Sequence, residues 1–150
     1  MHNTLFVTDL ETLQAFLTDS HPSHEDVKYF FDWLMDNDRR VFVGQNTWIR
    51  IKAVLGENSD SIKILANVIF PQPISSPIDE NLTDMQDAVI LTFSSKIGLD
   101  KNIYLVSPAE YSNDFIQSTI AGDGFGLSNK IDCITPENLV KLLTDGKENK

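Results

Sequence analysis

The sequence predicts an α/β fold: a three-layer α/β/α arrangement around a mostly parallel sheet. Short strand-type runs, Leu5-Phe6-Val7, Val41-Phe42-Val43, Ile103-Tyr104-Leu105-Val106 and Ile131-Asp132-Cys133-Ile134, alternate with stretches whose apolar residues recur at helical spacing. The run at 103–106 is almost wholly apolar, as expected of a strand covered on both sides. Strands separated by helices are most simply joined by crossovers that return each strand parallel to the last. No internal repeat or linker divides the 150 residues, so one domain is expected over 1–150.

Each element follows from local signals. The first strand ends at Thr8-Asp9, where Asp9 suits a helix N-cap, and Leu10, Leu13, Phe16 and Leu17 mark the helix that follows. His21-Pro22 breaks that helix. Ser23 with Asp26 resembles a capping box for a second one, lined by Val27, Phe30, Phe31 and Leu34. Gly44 turns the second strand into a third helix, with Trp48, Ile51, Val54 and Leu55 as its apolar stripe and Gly56 as its stop. A fourth helix is expected over Ser61–Phe70, with Ile62, Leu65, Ala66 and Ile69 inward and Pro71 as its end. Pro71, Pro73 and Pro77 then keep the chain extended or turned. Thr83 and Gln86 form the two halves of a capping box. The helix they start carries Leu82, Met85, Val89 and Phe93 on one face and stops at Gly98. Ser107-Pro108 ends the third strand, and Ala121–Gly126 reads as a surface loop. After the strand at 131–134, Thr135 caps a last helix with Pro136 at its first position and Leu139, Leu142 and Leu143 inward. The polar residues 145–150 read as a frayed tail.

Composition narrows the function classes. An apolar fraction of 41% and a charged fraction of 23% belong to a globular chain, not a disordered one. No apolar run reaches membrane-spanning length and no signal pattern opens the chain, so a cytoplasmic protein with no membrane partner is expected. The lone Cys133 cannot form an internal disulfide, which fits a reducing compartment. His2, His21 and His24 lack partners at zinc spacing and read as surface residues. The net charge of −10 runs against phosphate binding, which usually draws on clustered lysine and arginine. Carboxylates that hold divalent cations are one way for so acidic a chain to meet phosphate.

In a parallel sheet, ligands bind beyond the carboxyl ends of the strands. Asp9 lies at that end of the first strand, and Ser107, Ala109 and Glu110 lie at that end of the third. A helix leading into the third strand brings Asp84 or Asp87 to the same rim, so acids remote in sequence converge. Each acid also has an ordinary role. Asp9 fits an N-cap, Asp84 sits in a first turn where the helix dipole is worth up to about 1 kcal/mol, and Glu11 and Glu110 suit the surface. Trp33 and Trp48 occupy helical stripes, which favours core packing over base stacking.

Four segments in order carry a resemblance: Leu5-Phe6-Val7-Thr8-Asp9, Asp84-Met85-Gln86-Asp87-Ala88, Ile103-Tyr104-Leu105-Val106-Ser107 and Ile134-Thr135-Pro136-Glu137-Asn138-Leu139. With these the chain resembles the PIN domains, a family that includes ribonuclease toxins of bacterial toxin–antitoxin pairs. The resemblance implies carboxylates that hold Mg²⁺ or Mn²⁺ and cleave RNA with metal-activated water. Carried over by position, Asp9 and Asp87 are metal ligands, and Asp84 is an accessory ligand or a holder of metal-bound water. Glu11 and Glu110 are further candidate ligands. Two positions depart from the pattern. Arg50 stands where the family has a glutamate early in the third helix, which reverses the local charge, and Ala109 stands where an aspartate or asparagine is common.

Two functional readings follow. One is a divalent-metal-dependent endoribonuclease of toxin type, with a partly degraded carboxylate site, an RNA substrate, an antitoxin-like partner and a homodimeric state as the resemblance implies. The other is a catalytically inactive PIN-like module that contacts protein or RNA. At the extreme of decay, Arg50 pairs with Asp9 and no metal binds. A small-molecule α/β domain ranks third, because Gly122-Asp123-Gly124-Phe125-Gly126 does not connect a strand to a helix as a phosphate loop does.

Overall fold

Among the described residues, the sheet has five parallel strands: β1 (Thr4–Thr8), β2 (Val41–Gly44), β3 (Ile69–Gln72), β4 (Asn102–Val106) and β5 (Asp132–Ile134), in the order β3-β2-β1-β4-β5. A computed structural model describes residues 4–56, 58–72, 83–98, 102–122 and 131–148. The helices are α1 (Leu10–Leu17), α2 (His24–Asp36), α3 (Gln45–Leu55), α4 (Asp60–Ala66), α5 (Asp84–Gly98), α6 (Asn113–Gly122) and α7 (Pro136–Glu148). No described helix is long and apolar enough to cross a membrane.

Strand alternation and crossover hand together set the three layers. Leu5 and Val7 face one side of β1 while Phe6 faces the other, as the two-residue repeat requires. The chain steps outward from β1 to β2 to β3, then reverses across β1 to β4 and continues to β5. Right-handed crossovers therefore place α1 to α4 on one face and α5 and α6 on the other. The two cores match that division. Phe6, Val41, Val43 and Val106 pack with Leu13, Phe30, Phe31, Leu34, Trp48 and Leu65. On the opposite face, Val7, Ile103 and Leu105 pack with Val89, Phe93, Ile116 and Ile120. The closing helix α7 returns to the first face, where Leu139 and Leu143 are buried.

The α/β class and the parallel sheet agree with the sequence reading, and several details correct it. The stretch expected to be one helix over Ser61–Phe70 is helix only over Asp60–Ala66, and the chain then forms the edge strand β3. Ile69 is buried as a strand residue, Ala66 is exposed, and Pro71 is accommodated because β3 is the edge strand of the sheet among the described residues. Helix α6 is an addition, capped by the Ser112 hydroxyl, which accepts from Phe115 N at 3.1 Å. Its buried residues Ile116, Thr119 and Ile120 repeat at helical spacing, which is the signal that identifies it. Val54 and Leu142, expected inward, are exposed. Helix α7 runs to Glu148, so most of the expected tail is helical. Ser23 makes no side-chain cap; its N–H donates instead to His21 Nδ1 at 3.0 Å. The Thr83–Gln86 box does form, with reciprocal bonds of 2.9 and 3.1 Å. His2, Leu82, Pro73, Pro77 and the glycine-rich residues 123–126 lie outside the described residues.

Candidate functional site at the strand carboxyl ends

The strand order reverses between β1 and β4, and the crevice beyond the carboxyl ends of that pair is where a doubly wound sheet binds ligands. Asp9 leaves β1 at this point and Ser107 leaves β4. Register places Thr8 opposite Val106, so the next residue of each strand meets the other. The Ser107 hydroxyl donates to Asp9 Oδ2 at 2.6 Å, and the Tyr111 hydroxyl donates to the same oxygen at 2.7 Å. Oδ1 accepts from Thr12 N at 3.0 Å, the N-cap bond of α1. The Thr12 hydroxyl lies 3.0 Å from both Oδ1 and Val106 O and shares its one proton between them. The Thr8 hydroxyl also donates to Val106 O, at 2.6 Å. A buried carboxylate is thus held by neutral donors and the start of a helix.

The second cluster lies between α3 and α5. The capping box starts α5 so that Asp84 and Asp87, three residues apart, share one face. Thr47 and Arg50, also three apart on α3, answer them. The Thr47 hydroxyl donates to Asp84 Oδ1 at 2.9 Å. Arg50 Nη2 sits 3.0 Å from Asp84 Oδ1 and 3.5 Å from Asp87 Oδ2. The Asp87 side chain is 1% exposed and that of Arg50 is 47% exposed, so the guanidinium covers the acids from the solvent side.

Tyr111 joins the two clusters electrostatically. Burial raises its phenol well above the ordinary value, and the Asp9 charge, the hydrogen bond to Asp9, Cys133 and Asp84 add to the rise. It is therefore a fixed donor to Asp9 at any ordinary pH. The Cys133 thiol, nearby on β5, belongs to an exposed residue but is itself partly desolvated, which together with Asp132 and Asp9 pushes it up to about 11. A thiol so placed is a poor nucleophile at neutral pH. The Tyr111 proton stabilises the fold below the phenol's ordinary value of 10.0, and this contribution is lost as pH rises above it. Tyr111→Phe is expected to cost about 1 to 2 kcal/mol at pH 7. Urea titrations should show the gap to the parent narrowing above pH 10, and a constant gap at all pH values would contradict this assignment.

The structure brings Asp84 and Asp87 together and places Asp9 at the same rim in a separate hydrogen-bonded group. Arg50 pairs with Asp84 and Asp87, not with Asp9. Glu11 turns away to His21, with Oε1 3.0 Å from Nε2, and Glu110 is exposed beyond β4. His21 and His24 are half-buried at the α1–α2 turn, His24 pairing with Asp19 at 3.4 Å, which corrects their reading as plain surface residues. Sequence reasoning missed Tyr111, Thr12 and Thr47, whose roles depend on contacts across elements. The donor set does not fit a divalent cation as it stands. Both Asp9 oxygens are engaged by hydrogen-bond donors, and a guanidinium already lies against Asp84 and Asp87. Among the described residues, no three Asp, Glu, His or Cys side chains gather in a group able to hold a metal ion. Compared with protein-family models and with curated proteins, the chain matches none.

Proposed function

We propose that this chain is a PIN-like domain in which an internal Arg–Asp–Asp ion cluster stands in place of a divalent-cation site, and that it acts by binding a protein partner rather than by cleaving RNA. One observation carries the reading: Arg50 Nη2 lies within 3.0 Å of Asp84 and 3.5 Å of Asp87. The positive charge that carboxylates at this rim call for is supplied covalently by the chain. A second cation would have to displace the guanidinium or share the acids with it at a cost in repulsion. The Asp9 group supports the same reading, since its carboxylate serves as a cap and a tie between β1 and β4. The net charge of −10 favours a protein partner over RNA.

Calorimetric titration with Mg²⁺ and with Mn²⁺, beside cleavage assays on single-stranded RNA, tests this reading. The parent is expected to give no heat of binding and no metal-dependent cleavage. Arg50→Glu is expected to gain cation affinity, because it removes the resident charge and adds a carboxylate between two others. Metal-dependent cleavage by the parent that is lost in Asp87→Asn would overturn the proposal in favour of a ribonuclease.

A further inference from the structure

We infer that the corner between α1 and α2 is a proton-operated catch, in which a proton on His21 releases the amide that starts α2. Ser23 stands at the start of α2, and its own hydroxyl makes no cap bond. In a capping box, an acid three residues on accepts from the N–H of that first residue. Asp26 has the required spacing, yet the Ser23 N–H donates to His21 Nδ1 at 3.0 Å. A titratable ring thus holds the place of a carboxylate. A backbone N–H can only donate, so Nδ1 presents its lone pair. The ring's proton is then assigned to Nε2, which lies 3.0 Å from Glu11 Oε1.

His24, the first residue of α2, is held the other way round. Its Nδ1 lies 3.0 Å from Ala15 O, and a carbonyl can only accept, so here Nδ1 carries the proton. Ala15 belongs to the last turn of α1, whose carbonyls have no N–H partner within the helix. One ring accepts from the start of α2 while the other donates to the end of α1, and the two hold opposite tautomers three residues apart. Their responses to a second proton are therefore opposite. On His24 it falls at Nε2, 3.4 Å from Asp19 Oδ1, and completes an ion pair. On His21 it falls at Nδ1 and removes the bond from Ser23.

Glu11 decides which group gives way. The Nε2–H faces its carboxylate in either charge state, and the pair is stronger when the ring is cationic, so the ring stays in place. The Ser23 amide moves instead, because two N–H groups now point at each other. A cation at this end of α2 also opposes the helix dipole. The Ser23 carbonyl, which accepts from Val27 N at 2.9 Å, moves with its residue, so the first turn of α2 frays. The charged groups around the corner are Glu11 on α1, Asp19 in the turn, and Glu25 and Asp26 in the first turn of α2. Helix α7, which also packs on α2, pairs Lys141 with its own Glu137. Among the described residues, no other charged side chain lies within ion-pair distance of either ring. At 21% exposure the His21 side chain exchanges protons with water without unfolding of the domain.

The test is nuclear magnetic resonance on the isotope-labelled full chain. Imidazole nitrogen shifts read each tautomer: near pH 8 the proton is expected on Nε2 of His21 and on Nδ1 of His24. Between about pH 8 and about pH 5, the hydrogen-exchange protection of the Ser23 amide should fall by about tenfold, Val27 should follow it, and the amides of β1 should hold theirs. His21→Asn offers an amide oxygen near the place of Nδ1 and does not titrate, so its Ser23 protection should stay constant with pH. The tautomers and amides of the parent need no variant and decide the matter even if His21→Asn fails to fold. A proton on His21 Nδ1 near pH 8, or Ser23 protection unchanged down to about pH 5, would overturn the proposal. So would the same loss in His21→Asn, or a parallel loss throughout β1, which would mark general unfolding.

Discussion

Asp9→Ala is expected to lower the unfolding free energy by about 3 to 4 kcal/mol, a large share of the stability of a domain this size. Four hydrogen bonds converge on the carboxylate, from Thr12 N, the Thr12 hydroxyl, the Ser107 hydroxyl and the Tyr111 hydroxyl. The N-cap bond alone is worth about 1 kcal/mol. The larger part comes from what remains after truncation: the buried Ser107 hydroxyl and the half-buried Tyr111 hydroxyl lose their anionic acceptor, while the Thr12 hydroxyl keeps Val106 O. Charge-assisted bonds are about twice as strong as neutral ones, and a buried donor left without its acceptor incurs its desolvation penalty as well. Asp9→Asn separates charge from shape. Its amide oxygen still caps α1, and hydroxyls can rotate to accept from the amide nitrogen, so about half the loss should be recovered. Urea denaturation of the two variants checks both values. An alanine variant within about 0.5 kcal/mol of the parent would show that these bonds do not hold the rim together.

The sequence made the frame legible because its signals are local. Strand-type runs, the Asp9 cap, the Thr83–Gln86 box and Gly98 at the end of α5 act within a few residues of themselves, and each appears where its chemistry places it. The errors fall where tertiary context overrides a local pattern. Ile62, Leu65 and Ile69 fit one helical stripe, yet Ile69 is buried in a strand because β2 offers it an edge to pair with. Val54 fits the stripe of α3 by spacing but points away from the core, since the α3 crossover leaves that side uncovered. At the candidate site, the acids and Arg50 were legible in the sequence, because charge type and order along the chain are visible without coordinates. It could not supply the partners. That Arg50 meets Asp84 and Asp87 rather than Asp9 depends on how α3 and α5 lie against each other, and that Tyr111 reaches Asp9 depends on the turn between β4 and α6.

The second large effect is expected from Arg50→Met, a loss of about 2 kcal/mol that Asp87→Asn in the same chain should largely restore. Removing one partner of a fully buried ion pair costs about 3 to 5 kcal/mol, because it strands an uncompensated charge. Here water reaches the half-exposed guanidinium and the partly exposed Asp84, which lowers that figure, but Asp87 is 1% exposed and keeps most of the penalty. Methionine fills a similar volume along α3, so the loss reports on charge more than on packing. Asp87→Asn alone should cost well under the arginine variant, since a neutral amide beside a solvated guanidinium leaves no stranded charge. The double variant closes a cycle whose coupling free energy measures the ion cluster directly. A coupling near zero would mean that Arg50 and Asp87 are neighbours without mutual stabilisation, and the premise that the chain supplies its own counter-charge at this rim would go with it. A coupling of about 1 to 2 kcal/mol would show that the cluster stabilises the α3–α5 contact through charge as well as through packing.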